Sequence, residues 1–145
     1  MHRMSRQEWL DFVHTGTRTG KLAITRKAGN PHVTPIWFLV DETAAGDDVV
    51  FTTNESSLKS KALARDPRFA LCVDDQRPPY SYVLLEGEAT LSDDLDELLV
   101  WATRLGGRYM GAEAAEQFGR RNAVPGEFLV RGRITRVTAI AGVSD

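Results

Sequence analysis

Apolar and polar positions change period several times along the chain, and each change marks an element. Ser5 followed by Glu8 has capping-box spacing, and Trp9, Leu10 and Val13 then share one face, which predicts a short helix ending near Thr15-Gly16. Leu22 and Ile24 alternate with Ala23 and Thr25 ahead of the turn chemistry of Lys27-Ala28-Gly29-Asn30-Pro31. A second β-rich run extends from His32 to Val40, so a hairpin is expected. Pro35 interrupts that run. Lacking an N–H, it predicts an edge, a bulge or a place where another group approaches the backbone. A polar loop over Asp41 to Asp48 precedes a third strand at Val49-Val50-Phe51-Thr52-Thr53, rich in β-branched and aromatic residues. Helix formers take over from Ser57 to Arg65, until Asp66-Pro67 stops them.

The second half repeats the alternation of strand and helix. Arg68 to Asp74 reads as strand four, Gln76-Arg77-Pro78-Pro79 as a turn, and Tyr82 to Leu91 as strand five with Gly87 as a bulge. Ser92 to Asp94 caps a helix whose Leu95, Leu98, Leu99 and Ala102 recur at helical spacing, and Gly106-Gly107 is expected to end it. Another short helix is expected over Ala112 to Arg121, and the last strand over Glu127 to Ile140. No repeat, low-complexity tract or linker divides the chain. The expected fold is therefore mainly β, of the α+β kind: one domain over residues 1–145, built as a six-stranded closed antiparallel β-barrel with short flanking helices.

Composition narrows the function classes. With 145 residues, 18 Lys plus Arg, 20 Asp plus Glu and one cysteine, the chain can bury a sizeable core without an internal disulfide. A net charge of -2 argues against a general nucleic-acid binder, which needs a basic face. The longest apolar stretch, Ile36 to Val40, falls far short of the ~20 residues of a membrane span. Met1-His2-Arg3-Met4-Ser5 leads into a charged amphipathic segment without an apolar signal core, so a cytoplasmic location is expected.

Most catalytic signatures are missing. There is no Gly-x-Ser-x-Gly elbow, Gly-x-Gly-x-x-Gly or Walker lysine loop, and His2, His14 and His32 lack metal-ligand spacing. Cys72, between Leu71 and Val73 in a predicted strand, reads as core. Asp74-Asp75 and Asp93-Asp94 stand where turn formation and capping explain them. What remains is Thr52-Thr53-Asn54-Glu55-Ser56-Ser57-Leu58-Lys59-Ser60-Lys61, where a strand passes into a helix. Hydroxyls, the free N–H groups of a helix start and two lysines could together hold a phosphate. A capped, solvated helix is the alternative, because Lys59 and Lys61, two apart, do not share a face.

Several motifs in order resemble one superfamily. They are Gly29-Asn30-Pro31-His32-Val33-Thr34-Pro35-Ile36-Trp37-Phe38, Phe51-Thr52-Thr53, Lys59-Ser60-Lys61-Ala62-Leu63 with Asp66-Pro67-Arg68, Val73-Asp74-Asp75, and Leu85-Glu86-Gly87-Glu88-Ala89. Together they resemble the pyridoxamine 5'-phosphate oxidase-like split β-barrel superfamily over about residues 5 to 140, and within it the group that uses the deazaflavin coenzyme F(420). Close relatives in that superfamily bind FMN, and a few bind haem.

The resemblance implies a homodimer with two cofactor sites at the subunit interface. It implies that Lys59 and Lys61 hold the cofactor phosphate, with Thr52, Thr53 and Ser57 as hydrogen-bonding neighbours, and that Pro35, Ile36, Trp37 and Phe38 run beside the tricyclic ring. One relative has arginine where this chain has Ser57. The implied activity is hydride transfer from reduced coenzyme F(420) to a small conjugated acceptor such as a quinone or tetrapyrrole, with no side chain as covalent catalyst. An FMN-dependent oxidoreductase of the same fold is the rival enzyme, and a non-catalytic flavin, deazaflavin or haem binding protein is the rival of another class. Among aromatics, Trp37 is the candidate for a cleft wall. Trp101 falls on an amphipathic helix and reads as core, while Tyr109, and Arg77 with Tyr80 and Tyr82 near a loop, carry no assignment.

Overall fold

The computed structural model describes residues 1–145. Strand β1 (His2–Arg3) and helix α1 (Arg6–Val13) open the chain, followed by β2 (Gly20–Thr25), β3 (Pro31–Ile36), β4 (Leu39–Thr43) and β5 (Gly46–Asn54). Helix α2 (Leu58–Arg65) leads to β6 (Arg68–Asp74) and β7 (Tyr82–Ser92). Next come α3 (Leu95–Met110), a 3-10 turn at Ala112–Ala114, α4 (Ala115–Asn122) and the long β8 (Glu127–Ala141). Local chemistry accounts for the helix starts. The Ser5 hydroxyl accepts from the Glu8 N–H, Ser57 from Ser60, and Asp94 from both Asp96 and Glu97.

All strand pairs are antiparallel, in one sheet of order β3-β2-β6-β7-β8-β5-β4, with the short β1 added to β8. The sheet has eight strands rather than six. One extra strand is β1. The other arises because the run from His32 to Val40 is cut at Trp37-Phe38: Ile36 still pairs with Gly20 of β2, whereas Leu39 pairs with Val50 of β5 at the far end of the sheet. Three Cα steps span at most ~11 Å. Two residues can therefore join the outer strands only if the sheet curls until its edges approach. No ladder joins β3 to β4, so the barrel is open along that seam rather than closed.

Pro35 lies on β3, which pairs with β2 alone, so of the three alternatives its missing N–H left open the structure shows an edge. Gly87 coincides with the register shift of β7 against β8, and a Cβ there would fall 1.8 Å from the Arg133 carbonyl oxygen. The expected polar loop over 41–48 is instead a hairpin pairing Asp41 with Asp48 and Thr43 with Gly46. Its carboxylates are tolerated because arginines meet them: Arg131 pairs with Asp41 and Asp48, Arg133 with Asp48, and Arg6 with Glu42 and Asp47.

Helix α3 also runs on through Gly106-Gly107 to Met110. A mid-helix glycine costs about 1 kcal/mol relative to alanine, but here it admits α4: a Cβ on Gly106 would lie 2.5 Å from Phe118 Cβ. The main core fills the curl of the sheet with Leu22, Phe38, Val49, Phe51, Leu71, Val83, Leu85 and Val130, closed by Trp9, Leu10 and Val13 of α1 and Leu63 of α2. A smaller cluster of Val50, Leu98, Trp101 and Leu129 seats α3 on the outer face, so Trp101 is core as expected. Cys72 is half-buried rather than fully enclosed, and burial pushes its thiol pKa up.

Candidate functional site

The seam where β3 gives way to β4 faces α3 and α4 across a cleft of about 240 Å³. Pro35 and Ile36 of β3, with Trp37 just beyond its end, line the cleft together with Thr52 of β5, Lys59 of α2, and Ala102, Leu105, Gly106 and Asn122 of the helices. Apolar surface from Ile36, Trp37, Ala102 and Leu105 alternates with polar groups in the lining, a mix that can both pack against a small molecule and orient it. Thr52, the half-buried Lys59 and Asn122 line this cleft, and none of their side chains is engaged by a hydrogen bond or ion pair within the chain.

Five of the nine sequence-predicted site residues meet in the cleft: Pro35, Ile36, Trp37, Thr52 and Lys59. The other four do not line it. Successive side chains of an extended segment point to opposite sides, so Trp37 stands out at 37% exposure while Phe38 is wholly buried in the core. The same alternation leaves Thr52 at the cleft and turns Thr53 inward, its Oγ1 2.7 Å from Ser57 Oγ. The Ser57 hydroxyl is committed to that contact and to the Ser60 N–H at 3.1 Å. Both hydroxyls thus hold the β5–α2 junction in shape.

Lys61 points elsewhere. Residues two apart on a helix are ~200° apart, and Lys61 lies on the rim of a separate hollow of about 500 Å³. Arg26, Lys27, Lys61 and Arg65 converge there with Asn30 and Ser56, and no carboxylate lines it. The two lysines therefore serve two hollows on opposite flanks of α2.

The backbone on which Trp37 sits is held from behind by the end of α3. Arg108 donates to the carbonyls of Val13 at 2.6 Å, Phe38 at 2.7 Å and Gly16 at 3.1 Å. The Tyr109 hydroxyl donates to the Arg18 carbonyl at 2.8 Å and accepts from the Phe38 N–H at 3.2 Å. Burial pushes the Tyr109 phenol pKa up, which keeps it a donor. His14 completes the support, its Nε2 accepting from the Val40 N–H at 3.0 Å. Its pKa is pushed down, first by burial of the ring and then by the charge of Arg108.

Sequence reasoning missed the whole helical side. The doubled glycine at 106–107 was the available signal, since glycine inside a helical pattern marks close approach as well as an end. Asn122, the last residue of α4, gives no sequence signal at all. Arg77 is exposed and pairs with Asp75, whose carboxyl it holds down at about 2. Tyr80 and Tyr82 do not line the cleft.

A family model described as pyridoxamine 5'-phosphate oxidase matches residues 5–141. No curated protein matches the chain by sequence. Among solved structures, a conserved hypothetical protein from Mycobacterium tuberculosis superposes with TM-score 0.79 at 27% identity, over 94% of this chain and 84% of that one. An F(420) reductase superposes with TM-score 0.66 at 22% identity, over 88% of this chain and 94% of its own. A FAD-binding protein from Mesorhizobium loti gives TM-score 0.66 at 16% identity, over 95% and 93%.

Proposed function

The chain belongs to the pyridoxamine 5'-phosphate oxidase family, matched over residues 5–141, and on that premise we propose that it is a cytoplasmic, homodimeric oxidoreductase that uses the deazaflavin coenzyme F(420). The observation that carries this reading is the cleft. Thr52, Lys59 and Asn122 present polar atoms free of partners beside the apolar surfaces of Ile36, Trp37 and Leu105, a donor set suited to a flat ring with a polar edge and an anionic end. Such a ring, when bound, supplies hydride transfer to a small conjugated acceptor such as a quinone or tetrapyrrole. The fold shared with an F(420) reductase and a FAD-binding protein supports a flavin-type cofactor.

Each residue then has a binding or orienting role. Trp37 would offer a flat face to the ring, and Pro35 leaves an edge strand with a backbone position that has no N–H. Lys59 would hold the anionic end, and Thr52 and Asn122 would offer hydrogen bonds to the polar edge. Leu105 and Ile36 exclude water, so that bound cofactor and acceptor meet without the entropic penalty of a free encounter. The family resemblance, rather than any single exposed residue, supports assembly into a dimer. A two-fold dimer burying more than ~1,200 Å² is expected.

The test is stopped-flow absorbance of reduced coenzyme F(420) with a panel of quinones and tetrapyrroles. Oxidation faster with protein than without it is the expected result. Tight binding without acceleration across the panel would make the protein a carrier, and tight FMN binding with no affinity for F(420) would make it a flavoenzyme of the same fold.

A further inference from the structure

Trp37 sits between β3 and β4, outside both of their ladders. Its neighbours Ile36 and Leu39 are paired, but at opposite ends of the sheet, and Trp37-Phe38 lie between them without strand partners. Nothing in β-structure fixes the indole. An exposed tryptophan on such a segment would ordinarily sample several rotamers, and any ligand stacking on it would have to order it first.

Here the ordering is already done by residues that do not line the cleft. The Tyr109 ring lies flat on the indole, with centroids 5.0 Å apart and planes 7° from parallel. Phe118 meets Trp37 at 5.7 Å, tilted by 55°. Tyr109 is itself tied down, because its hydroxyl bonds the backbone at Phe38 in the crossing segment and at Arg18 just ahead of β2. Phe118 reaches Trp37 only because Gly106 has no side chain to keep α4 away.

We infer that Tyr109 is a positioning residue: it turns Trp37 into a rigid flat wall of the cleft and thereby selects planar, conjugated ligands. Stacking supplies the orientation and the hydroxyl supplies the anchor. This rests on the cofactor reading only for the identity of the ligand, since the rigidity of Trp37 belongs to the free protein.

The experiment uses full-length protein labelled with 5-fluorotryptophan. The chain has three tryptophans, so three fluorine resonances are expected, and Trp37→Phe assigns the one of interest. In Tyr109→Leu that resonance is expected to lose its ring-current shift and broaden, and FMN or F(420) to bind about two- to tenfold more weakly, the range for one aromatic pair and one immobilised side chain. Tyr109→Phe, which keeps the ring but loses both backbone bonds, is expected to keep most of the shift and to broaden the resonance less than Tyr109→Leu; a Tyr109→Phe resonance as sharp as wild type would overturn the hydroxyl's anchoring role. An unchanged Trp37 resonance in Tyr109→Leu, or unchanged affinity in that variant once folded, overturns the inference. Should Tyr109→Leu fail to fold, Phe118→Leu removes the second aromatic contact, and a Trp37 resonance it leaves untouched is equally damaging. A wild-type protein that binds neither cofactor, yet loses the Trp37 shift in Tyr109→Leu, would sink the cofactor reading and leave the rigid wall standing.

Discussion

Replacing Lys59 and Lys61 one at a time by alanine separates the two flanks of α2. Lys59 is half-buried and lines the cleft with Ile36 and Trp37, whereas Lys61 is exposed and lines the basic hollow with Arg26, Lys27 and Arg65. A hydrogen bond to a charged group contributes about 1.5–3 kcal/mol, so losing a Lys59–phosphate bond should weaken cofactor binding by roughly ten- to 150-fold. Lys61 can act from the opposite flank only through space. Over ~10 Å in water at ordinary ionic strength that amounts to well under ~0.5 kcal/mol per unit charge. Lys61→Ala should therefore stay within about twofold of wild type. Fluorescence titration with FMN and with coenzyme F(420), at fixed salt, measures both variants. A tenfold loss in Lys61→Ala with none in Lys59→Ala would place the anionic end in the basic hollow and refute the assignment to the cleft; equal, small losses in both would remove α2 from the site.

Three further outcomes follow from the packing. His14 must be neutral to accept from the Val40 N–H, and its folded pKa lies below the ordinary value of about 6.5. The unfolded chain therefore binds the proton first, and stability should fall as pH drops below about 6.5; urea midpoints at pH 7.5 and 5.5 should differ more for wild type than for His14→Gln. Asp48 is 4% exposed and held by Arg131 and Arg133. Because both arginines are partly exposed, Asp48→Ala should lose about 1–3 kcal/mol, less than a fully buried pair, with a lower urea midpoint as the readout. Gly106→Ala gains helix propensity but drives a Cβ to within 2.5 Å of Phe118 Cβ. Overpacking of about 1–3 kcal/mol should win over the ~1 kcal/mol gained, giving a lower melting temperature; a higher one would mean that α4 yields freely.

Much of this protein was legible from its residues alone, because the signals are local. Capping at Ser5, Ser57 and Asp94 acts within one turn, the bulge at Gly87 depends on the absence of one side chain, and the edge at Pro35 on the absence of one N–H. The motifs around Pro35, Thr52 and Lys59 likewise pointed to residues that converge on one cleft. Only the tertiary structure decided where the run from His32 to Val40 changes edge, since a crossing between sheet ends conserves the apolar pattern and alters only the pairing partner. It also made strands of the charged stretch 41–48, by supplying Arg6, Arg131 and Arg133 from distant parts of the chain. Lys59 and Lys61 are near neighbours in sequence, and helical rotation sends them to different hollows. Tyr109 and Phe118, more than 70 residues beyond Trp37, reach it only because the α3–α4 pair folds back over the seam. Short-range free energies are written in adjacent residues, whereas the partner that satisfies a charge or covers an aromatic face is chosen by the closing of long loops.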